Sequence, residues 1–468
     1  MALNRHGMLL AAVLALSSFA ANGEPKLITS GQQVSLKELT VPKLRGRHFS
    51  SRLEPVLRLG SEKGESDYSK IYSQDGSAPY NSYLASYRSD GLRLYTRVDV
   101  PASTPPKGGY PVLIFTHGYV GIEEAPTFHF SYTDKSMYAE LIDAYVDAGF
   151  VVLTPGYRGH GVANGVYAEG IEYMKKWDNG SYVSPVFYAV DVLNLLDGVQ
   201  SLENIEWPDG QEQIAINPEK ISLAGHSQGG DVALIVLAVA GEGSNVKNQI
   251  HSASIWSGTF VGRMTQANTY YPMQSTSEAF MSGDGTWTGT AVGKDGSINS
   301  NFIFGYPADW IETPDTSIWT WQNKIWSHTS VENALSEKYG EMYNALSSYT
   351  TDVDRPRFRV ATSSRGKTIV SHDPMVLNLM NSLGAFHHAD YLTEPLNLHV
   401  PDQDFYSLPE WNNNLCQRIN VRADSCKVYV YPQNNHGLRF SKHSWFSGPD
   451  AQEGYRPMID RDLRHFQK

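Results

Sequence analysis

Cysteine is scarce in this chain: 468 residues hold two, Cys416 and Cys426. Neither has a Cys-x-x-Cys or His-x-x-x-His companion, so the spacing of a structural zinc site is missing. Positive charge is also in short supply, with 38 Lys and Arg against 49 Asp and Glu and a formal charge of −11. No Lys/Arg-rich run is present to follow a phosphate backbone, which argues against nucleic acid as a partner. Long apolar runs are lacking too, since the stretch 8–21 is too short to span a bilayer and no other run reaches about 18 residues. What the chain does have is 41% hydrophobic residues, 12% aromatics, 40 Gly and 24 Pro, a composition of large cores and many turns rather than of a coiled coil or helical repeat. Disorder is excluded for most of it, and the length corresponds to about three domain-equivalents.

The run 8–21, bounded by small residues, reads as a signal peptide over residues 1–23 that leaves a chain starting at Glu24; cleavage after Ala20 or Ala21 also fits, and an uncleaved anchor is the competing reading. The expectation is a secreted protein, extracellular or periplasmic, with no transmembrane segment in the mature chain. In an oxidising compartment Cys416 and Cys426 are expected to form a disulfide that ties a helix end to a strand start.

Residues 24–80 show no sustained periodicity and read as an N-terminal arm. From residue 83 onward strands at 83–87 and 92–100 flank the turn Ser89-Asp90-Gly91, a hairpin. Apolar runs at 112–115, 151–153 and 221–224 then recur at the spacing of parallel strands with crossover helices, one of them amphipathic over 190–196 with Val192, Leu193 and Leu196 on one face. Later strands are expected at 252–256, 396–400 and 428–431. The fold class is therefore α/β, a mainly parallel central sheet with an antiparallel start and helices on both faces. Between 258 and 395 the rhythm stops, and six of the ten tryptophans fall in or beside this stretch: Trp256, Trp287, Trp310, Trp319, Trp321 and Trp326. So long an interruption reads as an inserted cap or lid over 259–395, dividing the core into a first part, 81–258, and a second, 396–468. Most of those aromatics would form the cap's own core, with one or two facing substrate.

Gly225-His226-Ser227-Gln228-Gly229-Gly230 lies between an expected strand and an expected helix. A nucleophile on so sharp a turn needs small residues two positions to either side, and Gly225 and Gly229 supply them. Serine needs a base to take its proton and an acid to orient that base, in the chain order Ser, acid, His. His436, just past the last strand and before Gly437, is the candidate base; His251 and His443 are weaker, and His387, His388 and His399 precede the acid. At the end of the strand 396–400 two carboxylates compete, Asp402 and Asp404, with Asp404 favoured by the Phe405-Tyr406-Ser407-Leu408-Pro409 exit that follows it and Asp402 suited to bracing the turn. The oxyanion hole is expected from the backbone N–H groups of Gln228 and Tyr119, the latter in Thr116-His117-Gly118-Tyr119 after the strand 112–115. His117 reads as a structural hydrogen-bonding residue. Arg158, in Arg158-Gly159-His160-Gly161, reads as packing beneath the site or as a contact to a substrate carboxylate.

These motifs, taken in order (PVLIFTHG at 111–118, GFVVLTPGYRGHG at 149–161, PEKISLAGHSQGG at 218–230, then the Asp404 and His436 loops), resemble the α/β-hydrolase superfamily and within it the prolyl-oligopeptidase-like and dienelactone-hydrolase-like branch. The resemblance covers about 83–467 apart from the insertion. It implies acyl transfer to water through an acyl-enzyme, with no cofactor and no metal. The departure is at the N-terminus, where the residues before Pro79 are too few for a β-propeller. The Gly-His-Ser core and His-Gly-Tyr loop also resemble polyester hydrolases and cutinase-like esterases, which are smaller and lack a long cap.

The function expected is that of a secreted serine hydrolase on a carboxylic ester or peptide-like acyl bond, in a small molecule or a polymer, with ester favoured because no propeller is present. A propeller-less serine peptidase is the first alternative and a non-catalytic binding protein the second. Lys294-Asp295-Gly296-Ser297-Ile298-Asn299 lacks the spacing of a calcium loop, and Asn179-Gly180-Ser181 is a glycosylation sequon.

Overall fold

The computed structural model of the chain describes residues 33–59, 80–128, 137–163, 165–177, 182–207, 213–258, 331–355, 357–362, 364, 368–401, 404, 407, 409–432, 434, 436–439 and 454–468. The signal-peptide run, Asp402, the sequon, the 294–299 loop, all five tryptophans of 259–330 and His443 lie outside the described residues.

Strands β1 (Glu54–Arg58), β2 (Asn81–Ser89), β3 (Leu92–Val100), β4 (Tyr110–Thr116) and β5 (Val151–Gly156) are followed by a small hairpin of β6 (Gly161–Ala163) and β7 (Val166–Tyr167). Then come β8 (Ile216–His226), β9 (Ser252–Trp256), a second hairpin of β10 (Phe358–Thr362) and β11 (Thr368–His372), and finally β12 (Leu396–Pro401) and β13 (Cys426–Tyr431). Among the described residues nine of these make one sheet in the order β1-β2-β3-β5-β4-β8-β9-β12-β13. Pairing is antiparallel from β1 to β5 and parallel from β5 to β13. The opening hairpin turns through Asp90 and Gly91 at φ 50° and 80°, the positive values a two-residue loop needs to match strand twist.

The helices are α1 (Val41–Arg45), α2 (Met137–Asp147), α3 (Ile171–Trp177), α4 (Ser184–Gly198), α5 (Gln228–Ala240), α6 (Val331–Tyr349), α7 (Pro374–Ser382), α8 (Pro409–Asn420) and α9 (Tyr455–Phe466). They cover both faces of the sheet, and the strand alternation sorts side chains between them. On β4, Val112 and Ile114 join the core with α4, α5 and α8, whereas Leu113 and Phe115 join the opposite core with α2 and α9.

The helix expected to be amphipathic is not. Fourteen of the fifteen residues of α4 are buried, because α3 lies on its outer side through ring contacts of Tyr173 and Trp177 with Phe187. The arm also packs more closely than its lack of periodicity suggested. Leu36, Val41, Leu44 and Leu53 are fully buried in the main core. Arg45 donates to the carbonyls of Ala238 and Glu242, satisfying acceptors at the C-terminal end of α5. Cys416 of α8 is disulfide-bonded to Cys426, the first residue of β13, with Cα atoms 5.3 Å apart. No helix among the described residues is long and apolar enough to cross a membrane.

Candidate active site

Strand β8 ends at His226 and α5 begins at Gln228, so Ser227 is the whole turn between them. Its φ and ψ, 54° and −123°, are values a non-glycine residue adopts only when its surroundings enforce them. The enforcement comes from backbone packed against the glycines. A Cβ on Gly229 would overlap the carbonyl oxygens of Thr116 and His117, and one on Gly225 would stand 2.6 Å from the Gly229 carbonyl and 2.7 Å from Thr116 Oγ1. Thr116 holds the contact together, its single Oγ1 proton shared between the carbonyls of Ala224 and Gly229 at 2.9 and 2.8 Å. A strained serine between strand and helix, at the carboxyl edge of a mainly parallel sheet, decides the architecture. The chain has the α/β-hydrolase fold.

The loops after β12 and β13 bring the other two candidates to that edge. His436 Nε2 lies 2.8 Å from Ser227 Oγ and accepts a hydrogen bond from its hydroxyl, and His436 Nδ1–H donates to Asp404 Oδ2 at 2.7 Å. All three side chains are buried, Ser227 the least so at 9% exposure. Such a line of donors and acceptors can move one proton from an alcohol to an imidazole held in a single tautomer.

The β4 loop closes on the same point. A Cβ on Gly118 would sit 3.2 Å from Ser227 Cβ and 3.1 Å from His226 Nδ1, a tight fit that favours glycine where the loop comes this close. The next residue, Tyr119, is 58% exposed and stands at the mouth of the site. Gln228 is the first residue of α5, whose N-terminal N–H groups have no partner within the helix.

Tyr138, unmarked by any of the motifs, joins these pieces together with His226, the residue before the nucleophile. His226 Nε2 lies 3.3 Å from the carbonyl of His436 and must donate to it, which leaves Nδ1 as an acceptor. The Tyr138 hydroxyl on α2, 2.7 Å away, donates to that nitrogen and accepts from the Gly118 N–H at 2.9 Å. One chain of hydrogen bonds thus links the β4 loop, the residue before the nucleophile and the loop of the candidate base. Burial, reinforced by neighbouring His436, pushes the His226 imidazole well below the usual histidine range and keeps it neutral. Burial pushes the Tyr138 phenol up, so it remains a donor. Trp256 is not a substrate contact: it is 1% exposed and stacks on His226 and Phe115 beneath the turn.

His117 is fully buried, its Nδ1 donating to the Gly118 carbonyl at 2.8 Å and its ring against Tyr157. Arg158 does not reach a substrate. It is fully buried and paired with Asp191 of α4 at 2.6 Å and with Asp90 of the opening hairpin at 3.1 Å. Those two carboxylates take the charge that the sequence alone left open to a ligand. His399 is likewise engaged elsewhere, with Asp462 of α9 on the face of the sheet away from α5.

No family model matches the chain, and no curated protein matches it. It is similar at 13% identity and a TM-score of 0.44 to an acylaminoacyl peptidase from Pyrococcus horikoshii, over 87% of this chain and 45% of that one. The chain therefore spans less than half the length of that peptidase. It is similar at 12% identity and a TM-score of 0.39 to Est1E from Butyrivibrio proteoclasticus, over 81% of this chain and 98% of the other. Acetyl xylan esterase 1 from a Thermoanaerobacterium species matches at 13% identity and a TM-score of 0.42, over 94% and 96% of the two chains. Likeness at this level says nothing of substrate, and the functional reading rests on the chain's own geometry.

Proposed function

We propose that this chain is an exported serine hydrolase that cleaves a carboxylic ester through an acyl-enzyme, with Ser227 as nucleophile, His436 as base and then acid, and Asp404 orienting the imidazole. The observation that carries the reading is the unbroken line from Ser227 Oγ through His436 to Asp404, at 2.8 and 2.7 Å, hung on a serine whose backbone is held at φ 54°. In this mechanism His436 Nε2 takes the hydroxyl proton as Oγ attacks the substrate carbonyl carbon. The oxygen that gains negative charge is met by the N–H groups of Gln228 and Tyr119. His436 then returns the proton to the departing alkoxide, leaving an acyl-Ser227 ester that water hydrolyses by the same steps.

Export is supported by the run 8–21 and by the Cys416–Cys426 disulfide, a bond that persists in oxidising compartments.

The test is a paired assay of short and long acyl p-nitrophenyl esters and of prolyl and basic peptide amides, each with wild type and Ser227→Ala. Ester turnover that the variant loses is the expected result. Amide turnover at comparable efficiency would make the chain a peptidase. Full activity in Ser227→Ala, or no turnover together with no fluorophosphonate labelling of Ser227, would refute the proposal.

A further inference from the structure

The described residues hold a crevice of about 770 Å³ at the other edge of the sheet, where β9, β12 and β13 begin and the end of α9 crosses them. Ser252, Asn397 and Lys427, each the first or second residue of its strand, line it. The candidate active site follows the carboxyl ends of the same strands, so ~13 Å of β12 alone separates the two.

Two kinds of unused chemistry face each other there. The first is positive charge. Lys427, Arg461 and Arg464 line the crevice, and no carboxylate pairs with any of them among the described residues. Asp424 is the only acidic side chain in the lining. This concentration of cations stands out in a chain whose formal charge is −11.

Arg461 is fixed in place. Its guanidinium lies over the rings of Tyr429 and Tyr431, 4.9 and 5.4 Å from their centroids, and one nitrogen donates to the Tyr431 hydroxyl at 2.8 Å. That hydroxyl is 2.7 Å from His399 Nδ1, and His399 Nε2 is 2.9 Å from Asp462 Oδ1. The remaining guanidinium donors have no protein partner among the described residues. An arginine held this way loses little freedom on meeting an anion.

The second is buried neutral polarity without partners. Asn397 is only 4% exposed and lines the crevice, yet its side-chain amide makes no hydrogen bond to any described residue. Ser425 Oγ, in the same lining, is buried and unbonded as well. Asn397 thus presents to the crevice an amide that can both donate to and accept from a ligand. The histidines of the lining do not share this freedom: His465 is bonded to the carbonyls of Ala253 and Pro395, and His251 to Lys220.

We infer that this crevice binds an acidic saccharide, its carboxylate or sulfate held by Arg461, Arg464 and Lys427 and a ring hydroxyl by Asn397. A bare inorganic anion would use the cations but leave Asn397 and most of the volume idle, whereas 770 Å³ lies in the ordinary range of small-molecule sites, ~300–1,000 Å³. The inference does not depend on how Ser227 is read.

The experiment is calorimetric titration of the full chain with tri-galacturonate, a sulfated heparin tetrasaccharide and inorganic phosphate, at low and at moderate salt. Saturable binding of one of the two saccharides is expected, weaker at moderate salt. The double variant Lys427→Gln/Arg464→Gln should weaken it by about tenfold or more, the loss of charge-assisted contacts worth at least ~1.4 kcal/mol. Asn397→Ala should weaken it while leaving its salt dependence intact. The thermal melting point should be unchanged in all these variants, which separates a failed site from a failed fold. No saturable saccharide binding at low salt, equal affinity in the double variant, or binding of phosphate as tight as that of the saccharides would overturn the assignment.

Discussion

Replacing Tyr138 with phenylalanine removes one oxygen and nothing else from the chain of hydrogen bonds behind Ser227. The ring keeps its edge contact with Phe115, 5.1 Å between centroids. What is lost is the acceptor of the Gly118 N–H and the donor to His226 Nδ1. Both groups are buried, and stranding each costs about 1–3 kcal/mol, so up to about 6 kcal/mol bears on the alignment of two loops before they relax. Relaxation moves the β4 loop, and with it the Tyr119 N–H. Outright removal of an oxyanion donor costs about 10²–10³ in kcat. A donor displaced but still present should cost about tenfold to a hundredfold, with KM changed by less than about threefold, because the loss falls on the transition state and not on ground-state binding. Initial rates on a p-nitrophenyl ester, the rate of fluorophosphonate labelling and a thermal melt on the same preparations measure this. A variant whose melting point falls while kcat and labelling stay within about twofold of wild type would refute the reasoning, since it would make Tyr138 a packing residue only.

Gly229→Ala should reduce kcat more than a hundredfold or prevent folding, because its Cβ has only the Thr116 and His117 carbonyls to enter; labelling of Ser227 distinguishes the two outcomes. Acid should destabilise the fold through buried neutral imidazoles. Burial holds His160 at about 4, and His117 and His226 well below their ordinary value, so the unfolded chain binds more protons as pH drops below about 6.5 and stability is lost from there down to about pH 4. His160 alone accounts for about 3 kcal/mol across that window, and denaturant melts at pH 7, 5.5 and 4.5 should show a steady decline; a flat profile would contradict it. Converting both Cys416 and Cys426 to serine should cost about 3 kcal/mol, the loop-closure value for a separation of 10 residues, read as a lower melting point that reductant no longer affects.

The parts of the site that lie within one motif were legible in the sequence, and the parts that depend on distant packing were not. The turn at Ser227 could be read because strand, glycines and helix are contiguous, and Asp90-Gly91 because a two-residue turn carries its own signature. Strand order led to His436 and to a choice between Asp402 and Asp404, in which the 405–409 exit favoured Asp404. Tyr138 carries no local signal: it belongs to a helix 88 residues before His226 and matters only because β4 and β8 are neighbours. Arg158 was ambiguous for the same reason, its charge being met by Asp191 33 positions later. The helix α4 was misread because periodicity reports one buried face, and α3 buries the other.

The clamp of Arg45 on the end of α5 has a consequence for how the molecule comes into being. Its acceptors, the carbonyls of Ala238 and Glu242, stand 193 and 197 positions further along the chain. During synthesis the segment around Arg45 therefore cannot settle in this place until the chain as far as Glu242 has followed it. Closing so long a loop is entropically slow, and in the meantime Leu36, Val41 and Leu44 stay exposed as a sticky apolar strip. A chain wired in this way locks residues 36–45 in place late.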